Sequence, residues 1–168
     1  RMMNGLGYDA GVVGNHEFDM GADQIEKLAT YFEYPLFGGD IINARGEPAF
    51  RREPLILERG GLRIGIMGFS CDGMTEVVTA AKLSGLRMAR QADLAREIAA
   101  DLDEKTDLII MITHNGVEGD KALAGELTGA GIDIIVGGHS HSRLKKPELA
   151  NGILILQAGL PLPFRLFN

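Results

Sequence analysis

The sequence predicts an α/β fold in which β-sheet layers are flanked by helices. Short apolar runs of strand length alternate along the chain with amphipathic patterns, in which apolar residues recur every three or four positions. The apolar runs carry few alternating polar residues, which is typical of strands that are covered on both faces of a sheet. Together these two observations favour helices packed on a sheet.

The first seventy residues predict two helical segments and four strands. Residues 1–7 have the pattern of a closing helical turn, and residues 21–32 have that of a helix with one apolar side. This side is predicted to contain Ile25, Leu28, Ala29 and Phe32. Strands are predicted at residues 10–14, at residues 34–42, and on both sides of a Gly-Gly hairpin turn within residues 53–70.

The remainder of the chain predicts two helices and three buried strands. Residues 89–105 form a helical pattern with Leu94, Ile98 and Leu102 along one side, and residues 119–131 form the second. The strands are predicted within residues 107–114, 132–141 and 152–159.

Composition excludes several classes of protein. The chain has 168 residues, which fits one domain, and 45% of them are hydrophobic. Its net charge of −6 argues against a nucleic-acid polymer or an anionic membrane surface as the main partner. The single cysteine permits no internal disulfide, and no apolar run approaches the roughly 20 residues of a membrane span.

All four histidines follow predicted buried strands directly. They are His16, His114, His139 and His141. Ligands of α/β proteins bind at the strand ends, in the loops that follow them. A single histidine in a loop is most often only hydrated, but four of four at strand ends favours a common site.

The residue types around these histidines suit a metal ion. Neutral imidazole nitrogens bind zinc, manganese and similar ions, and Asn15 offers an amide oxygen beside His16. The glycines that precede the histidines are expected to let the chain turn sharply. Asp19 either accepts a hydrogen bond from the His16 ring, which fixes its tautomer, or caps the next helix.

Three motifs resemble those of one family. The stretches GNHEFD, THNG and GGHSH, in this order, are similar to the motifs of calcineurin-like metallophosphoesterases, and the run MNGLGYDAGVVGNHEFDMG resembles their 5′-nucleotidase branch. The resemblance covers roughly residues 2–159. It implies a metal-dependent phosphoric ester hydrolase that acts on a phosphate ester or nucleotide. Members of the branch are often periplasmic or extracellular, and this sequence does not reveal the compartment.

The resemblance also implies roles for individual residues. Asn15, His114 and His139 would ligate the second of two divalent metal ions, such as zinc or manganese, and His141 would ligate the first. His16 would be the catalytic imidazole, oriented by Asp19.

Two motifs of the family are missing from this sequence. The Asp-x-His and Gly-Asp segments would precede GNHE, and residues 38–40, GGD, come too late to replace them. We therefore expect a partial domain over residues 1–159, truncated at both ends, and an atypical tail over residues 160–168. The hydrolase activity is expected to be crippled by the truncation, with at most one tightly bound metal ion per chain. Strands at residues 11–14, 108–113 and 132–138 are expected to lack neighbours, which predicts a homodimer.

Other functions remain open at this point. With one metal ion and the His-Asp pair, the chain could be a weak metal-dependent hydrolase of activated carboxylic esters, or a metal-binding module without turnover. A serine hydrolase is disfavoured because no serine lies in a Gly-x-Ser-x-Gly motif.

Overall fold

The computed structural model describes residues 2–159, so the predicted atypical tail lies outside the described residues. The helices are α1 (Met2–Gly5), a 3₁₀ turn (His16–Phe18), α2 (Ala22–Ala29), α3 (Met74–Val77), α4 (Ala80–Leu83), α5 (Gln91–Asp103) and α6 (Gly116–Glu126). The strands are β1 (Gly11–Val12), β2 (Leu36–Phe37), β3 (Ile41–Ile42), β4 (Leu55–Arg59), β5 (Leu62–Gly68), β6 (Arg87–Met88), β7 (Leu108–Ile112), β8 (Ile134–Gly137), β9 (Glu148–Ala150) and β10 (Ile153–Gln157). The predicted α/β class is confirmed.

A six-stranded sheet forms the centre of the fold. Its order is β4-β5-β7-β8-β10-β9, and the four inner strands β5, β7, β8 and β10 run parallel. The outer strands β4 and β9 each pair antiparallel with a neighbour. Because the inner strands are parallel, the loops that follow β7 and β8 emerge at the same edge of the sheet.

The predicted hairpin at Gly60 and Gly61 joins β4 to β5. Both glycines have positive φ, at 59° and 81°. A two-residue turn with this backbone matches the twist of the strands on either side, and glycine adopts it without steric cost. The Gly-Gly pair between two apolar runs of strand length was therefore sufficient to predict the hairpin.

Helices α5 and α6 pack against one face of the sheet and form the larger core with it. In α5 the deepest positions are those of Ala92, Ala95, Ala99 and Leu102, while Leu94 and Ile98 are only partly buried. The predicted position of this helix is therefore confirmed. The predicted apolar side is partly wrong, because the most buried side of the helix is lined mainly by alanines. Small alanine side chains allow α5 to lie close to the sheet, and the larger leucine and isoleucine flank the contact.

Helix α2 has a narrower apolar side than predicted. Ile25 is fully buried in a second core cluster with Val13 and Phe18, but Leu28 is 46% exposed. The prediction that Leu28 belongs to the buried side is wrong. The helix has only eight residues and contacts the 3₁₀ turn at His16–Phe18, so its core contact is centred on Ile25.

The strand predicted over residues 34–42 is two short strands. The chain turns between β2 and β3, where the Ile41 N–H donates to the Gly38 carbonyl oxygen over 2.9 Å. The turn directs Asp40 into the interior, where its carboxylate accepts hydrogen bonds from the Ser70 N–H and hydroxyl at 2.7 and 2.8 Å. Asp40 therefore has a structural role, as its late position in the sequence suggested.

Part of one face of the central sheet is exposed, and β7 and β8 are not edge strands. Strands β7 and β8 each have two neighbours, so the expectation that residues 108–113 and 132–138 lack partners is wrong. On the face opposite the helices, Val136 and Leu154 are 42% and 40% exposed. At one end of this face, Phe37 of the small β1-β2 sheet packs on Gly68. Within residues 2–159, no helix has the length and apolar character needed to cross a membrane.

Candidate functional site

Three of the predicted ligands meet at the edge where β1, β7 and β8 end. The Oδ1 atom of Asn15 lies 3.0 Å from His114 Nε2 and 3.2 Å from His139 Nδ1. The two imidazole rings meet edge to face, with centroids 5.1 Å apart. These contacts bring together residues from three loops, as the positions of the histidines in the sequence predicted.

Glycines at this edge make room for His114. A Cβ atom on Gly14 would lie 2.8 Å from the ring carbon Cε1, and one on Gly138 would lie 3.1 Å from Nδ1. Neither glycine has a positive φ; His139 and His141 do, at 77° and 56°. The expectation that these glycines provide sharp turns is therefore wrong, since neither has the backbone conformation that only glycine adopts easily. They are needed for close packing of the ring.

The loop after β1 is held by a carboxylate to which sequence reasoning gave no role. Glu17 Oε2 accepts the Gly14 N–H over 2.7 Å and so closes the loop that carries Asn15. Glu17 lies three residues after Gly14, and this spacing was the signal that could have revealed the contact.

The structure places Asp19 against His16 as predicted. Asp19 Oδ2 lies 2.9 Å from His16 Nδ1, and the two side chains are 61% and 71% exposed. Helix α2 begins after Gly21 and has no side-chain cap, so the alternative of Asp19 as a helix cap is not what the structure contains. The pair borders the Asn15 cluster and is open to solvent.

His114 is held in its neutral form. Its burial lowers its pKa to about 4, and the nearby His139, His16 and His141 act in the same direction. A neutral imidazole is the form that binds a metal ion, since protonation would occupy the ligating nitrogen. The other three histidines therefore lie near enough to influence His114, although the ring of His141 makes no hydrogen bond to the cluster among residues 2–159.

Known proteins resemble this chain over most of its length. A family model described as bacterial capsule synthesis protein PGA_cap matches residues 2–156. A 5′-nucleotidase of Vibrio cholerae is 30% identical over 187 residues, covering 93% of this chain and 34% of that protein.

Two solved structures share the fold. The sulfate thiohydrolase SoxB of Thermus thermophilus superposes with a TM-score of 0.84 at 23% identity, over 94% of this chain and 29% of that one. The calcineurin-like phosphoesterase YfkN of Bacillus subtilis gives 0.79 at 24% identity, over 94% and 56%.

The chain belongs to the PGA_cap family. The predicted resemblance to calcineurin-like metallophosphoesterases, and within them to the 5′-nucleotidase branch, is confirmed by these relatives and structures. The chain spans about a third of the length of the curated relatives it matches.

The donor atoms at this site fit one metal ion. Ligands about 2.0–2.1 Å from a zinc ion stand about 3.3 Å apart in a tetrahedron, and about 3.0 Å apart at right angles. The separations of 3.0 and 3.2 Å from Asn15 to the two histidines match this range. Among residues 2–159, no three side chains of His, Cys, Asp or Glu form one ligand set, because the third donor here is an amide.

A buried polar network beside the site was missed from the sequence. Asn115 accepts the Asp72 N–H over 2.9 Å and donates to Gln91 Oε1 over 2.8 Å, and Gln91 in turn donates to Asp40. Helix α6 begins at Gly116, three residues earlier than predicted, so Asn115 is its N-terminal flanking residue. The network fixes the backbone immediately after His114, and nothing in the THNG motif by itself signals it.

Proposed function

We propose that this chain carries part of the catalytic site of a metal-dependent phosphoric ester hydrolase, with nucleotides as the substrate class. The observation that carries the proposal is the convergence of one amide oxygen and two imidazole nitrogens at Asn15, His114 and His139. The similarity of the chain to a protein named 5′-nucleotidase supports the choice of substrate class.

Asn15, His114 and His139 would hold the metal ion, and His141 is available for a second one. A divalent ion at this position supplies Lewis acidity to a phosphoryl oxygen. The chain prepares its own ligands for this role. His114 is kept neutral at physiological pH, and Gly14 and Gly138 fix the position of its ring through close packing.

His16 would act on the reacting phosphate group. Because a carboxylate only accepts hydrogen bonds, Asp19 leaves the proton on Nδ1 and turns Nε2 outward. That nitrogen can then hold or transfer a proton at the leaving group. Both side chains are well exposed, as is required of groups that contact a substrate from solution.

A second candidate is a metal-binding module without turnover. It is favoured by the small number of donors, since among the described residues three converge on one point and His141 stands apart. A hydrolase of activated carboxylic esters remains the other alternative, because one metal ion and the His16-Asp19 pair suffice for it.

Phosphate release from AMP tests the proposal. The metal-stripped protein is assayed with added Zn²⁺ or Mn²⁺, with chelator, and in parallel with 4-nitrophenyl acetate. We expect slow, chelator-sensitive release of phosphate that is lost in His114→Asn. Metal binding without release of phosphate would support the metal-binding module. Hydrolysis of 4-nitrophenyl acetate alone would support the hydrolase of carboxylic esters.

The variant His16→Asn provides the matched comparison. It should bind metal as the wild-type protein does and release no phosphate, whereas His114→Asn should lose both properties. Undiminished phosphate release by either variant would contradict the proposed site.

A further inference from the structure

We propose that Gln157 is a positioning residue for the two-histidine loop, which we define as residues 138–142. Its side-chain amide would hold the backbone of this loop in the conformation that presents His139 and His141. The proposal rests on the proposed function, since it concerns histidines that are assigned there to metal binding.

The two-histidine loop has a backbone that side-chain-bearing residues rarely adopt. His139 has a φ of 77°, and the Ser140 N–H donates to the Gly138 carbonyl oxygen over 3.1 Å. A bond between residues two apart around a positive φ is the tight γ-turn that is rare in proteins because it is strained. His141 follows with a φ of 56°. Such a conformation persists only where the surrounding structure enforces it.

Gln157 lies directly beneath this loop. It is the last residue of β10, is only 5% exposed, and is in register with Gly137, the last residue of β8. The loop therefore begins one residue after the partner of Gln157 in the sheet. The backbone carbonyl oxygen of Gln157 also accepts a hydrogen bond from the N–H of Leu144, so the chain returns to Gln157 after the loop.

The amide of Gln157 meets the loop at three points. Two backbone N–H groups, those of His141 and Ser142, face the same end of the amide, so that end is the oxygen. Oε1 then accepts from His141 N at 3.2 Å, from Ser142 N at 3.1 Å and from the Ser140 hydroxyl at 3.0 Å. A buried amide that satisfies consecutive backbone donors fixes the peptide planes between the two histidines.

Ser140 extends this support to helix α6. Its Oγ accepts the Val117 N–H over 3.2 Å, in the first turn of the helix that follows the His114 loop. The loops of His114 and His139 are thereby joined through Ser140, and Gln157 holds Ser140 from below. Groups that orient metal ligands in this way commonly change metal affinity by about 10–100-fold when they are removed.

The test compares Zn²⁺ binding with the state of the loop in the metal-free protein. Gln157→Met keeps the length of the side chain and removes its hydrogen bonds, and Gln157→Glu keeps oxygen acceptors for the two N–H groups. Gln24→Met, on the exposed part of α2, is the control. Calorimetry measures Zn²⁺ affinity, and NMR follows the imidazole resonances of the four histidines.

We expect Gln157→Met to weaken Zn²⁺ binding by about 10–100-fold and to shift the resonances of His139 and His141 while that of His16 stays in place. Gln157→Glu should restore both properties, and Gln24→Met should change neither. Wild-type affinity and unchanged His139 and His141 resonances in Gln157→Met would overturn the inference.

Two further outcomes keep the test decisive. If Gln157→Met does not fold, Gln157→Asn keeps a polar side chain but withdraws the amide by one bond, and it should show the same losses; wild-type behaviour would overturn the inference. If the wild-type protein binds no Zn²⁺, the proposed function fails, and the resonances of the metal-free variants still decide the role of Gln157.

Discussion

The hydroxyl of Thr113 donates a hydrogen bond of 2.6 Å to Asp120 Oδ1, and both side chains are buried at the carboxyl end of β7. The other carboxyl oxygen, Oδ2, has no hydrogen-bond partner among the described residues and faces Gly137. Burial therefore raises the pKa of Asp120 from 3.8 to about 6, against the opposing effect of the Thr113 hydrogen bond. The carboxyl group is accordingly a source of pH dependence beneath the site.

Asp120→Asn should stabilise the protein at alkaline pH. A pKa raised in the folded state means that the contribution of Asp120 to stability is full below pH 3.8 and decreases as pH rises to about 6. At about one pKa unit per 1.4 kcal/mol, the ionised group costs on the order of 3 kcal/mol at pH 8. Urea unfolding of both proteins should show a gain for the variant at pH 8 that narrows toward pH 4.

The exposed Asp23, in the first turn of α2, supplies the control for this experiment. Asp23→Asn should change stability by less than about 1 kcal/mol, with the small loss expected near a helix N-terminus. An Asp120→Asn protein that is equally or less stable than wild type at pH 8 would contradict the assignment.

His114 should titrate near pH 4 in the metal-free protein, well below the usual 6.5. Because its folded pKa is lowered by burial and by the other histidines, charging it destabilises the fold, and stability is lost as pH falls from about 6.5 to about 4. His114→Asn should remove this part of the acid sensitivity. NMR of the imidazole resonances gives the titration directly, and a midpoint near 6.5 would show that the ring is not buried as described.

The purified chain should retain at most one equivalent of divalent metal after dialysis. Asn15, His114 and His139 are three protein donors for one ion, and structural zinc sites usually have four. Elemental analysis of zinc and manganese checks the stoichiometry. Two equivalents per chain would mean that further ligands join His141.

The 168-residue chain should form dimers in solution. Unpaired strands do not explain a dimer at β7 and β8, because each of these strands has two neighbours. The reason is instead the partly exposed sheet face that contains Val136 and Leu154. An apolar sheet face of this kind is commonly covered by another surface. Light scattering at micromolar concentration should report more than the 18.1 kDa of one chain, and a constant 18.1 kDa across dilution would contradict the prediction.

The convergence of the candidate ligands could be predicted from the sequence because these residues follow strands directly. Once His114 and His139 are placed after neighbouring parallel strands, the geometry of the sheet brings them to one edge. The pairing of His16 with Asp19 was likewise accessible, since three residues separate them in a single turn. Local spacing and strand order were sufficient for both.

The support beneath the ligands could not be predicted in the same way. Gln157 is 16 residues beyond His141 and lies in a strand pattern, where a lone glutamine does not signal contact with a distant loop. The exposure of Leu28 was missed for the converse reason, because periodicity gives the apolar side of a helix but not how much of it the rest of the fold covers. Both depend on packing between segments that are far apart in the chain.

The contacts of Asn15 with His114 and His139 span 99 and 124 positions of the chain. Contacts this distant form late when a polypeptide folds, because long loops must first be closed against their entropy. We therefore expect the three donors to come together, and the capacity to capture an ion to arise, only when the β1 loop docks onto the assembled sheet. In a refolding experiment, uptake of Zn²⁺ should lag behind the recovery of secondary structure and mark the final step.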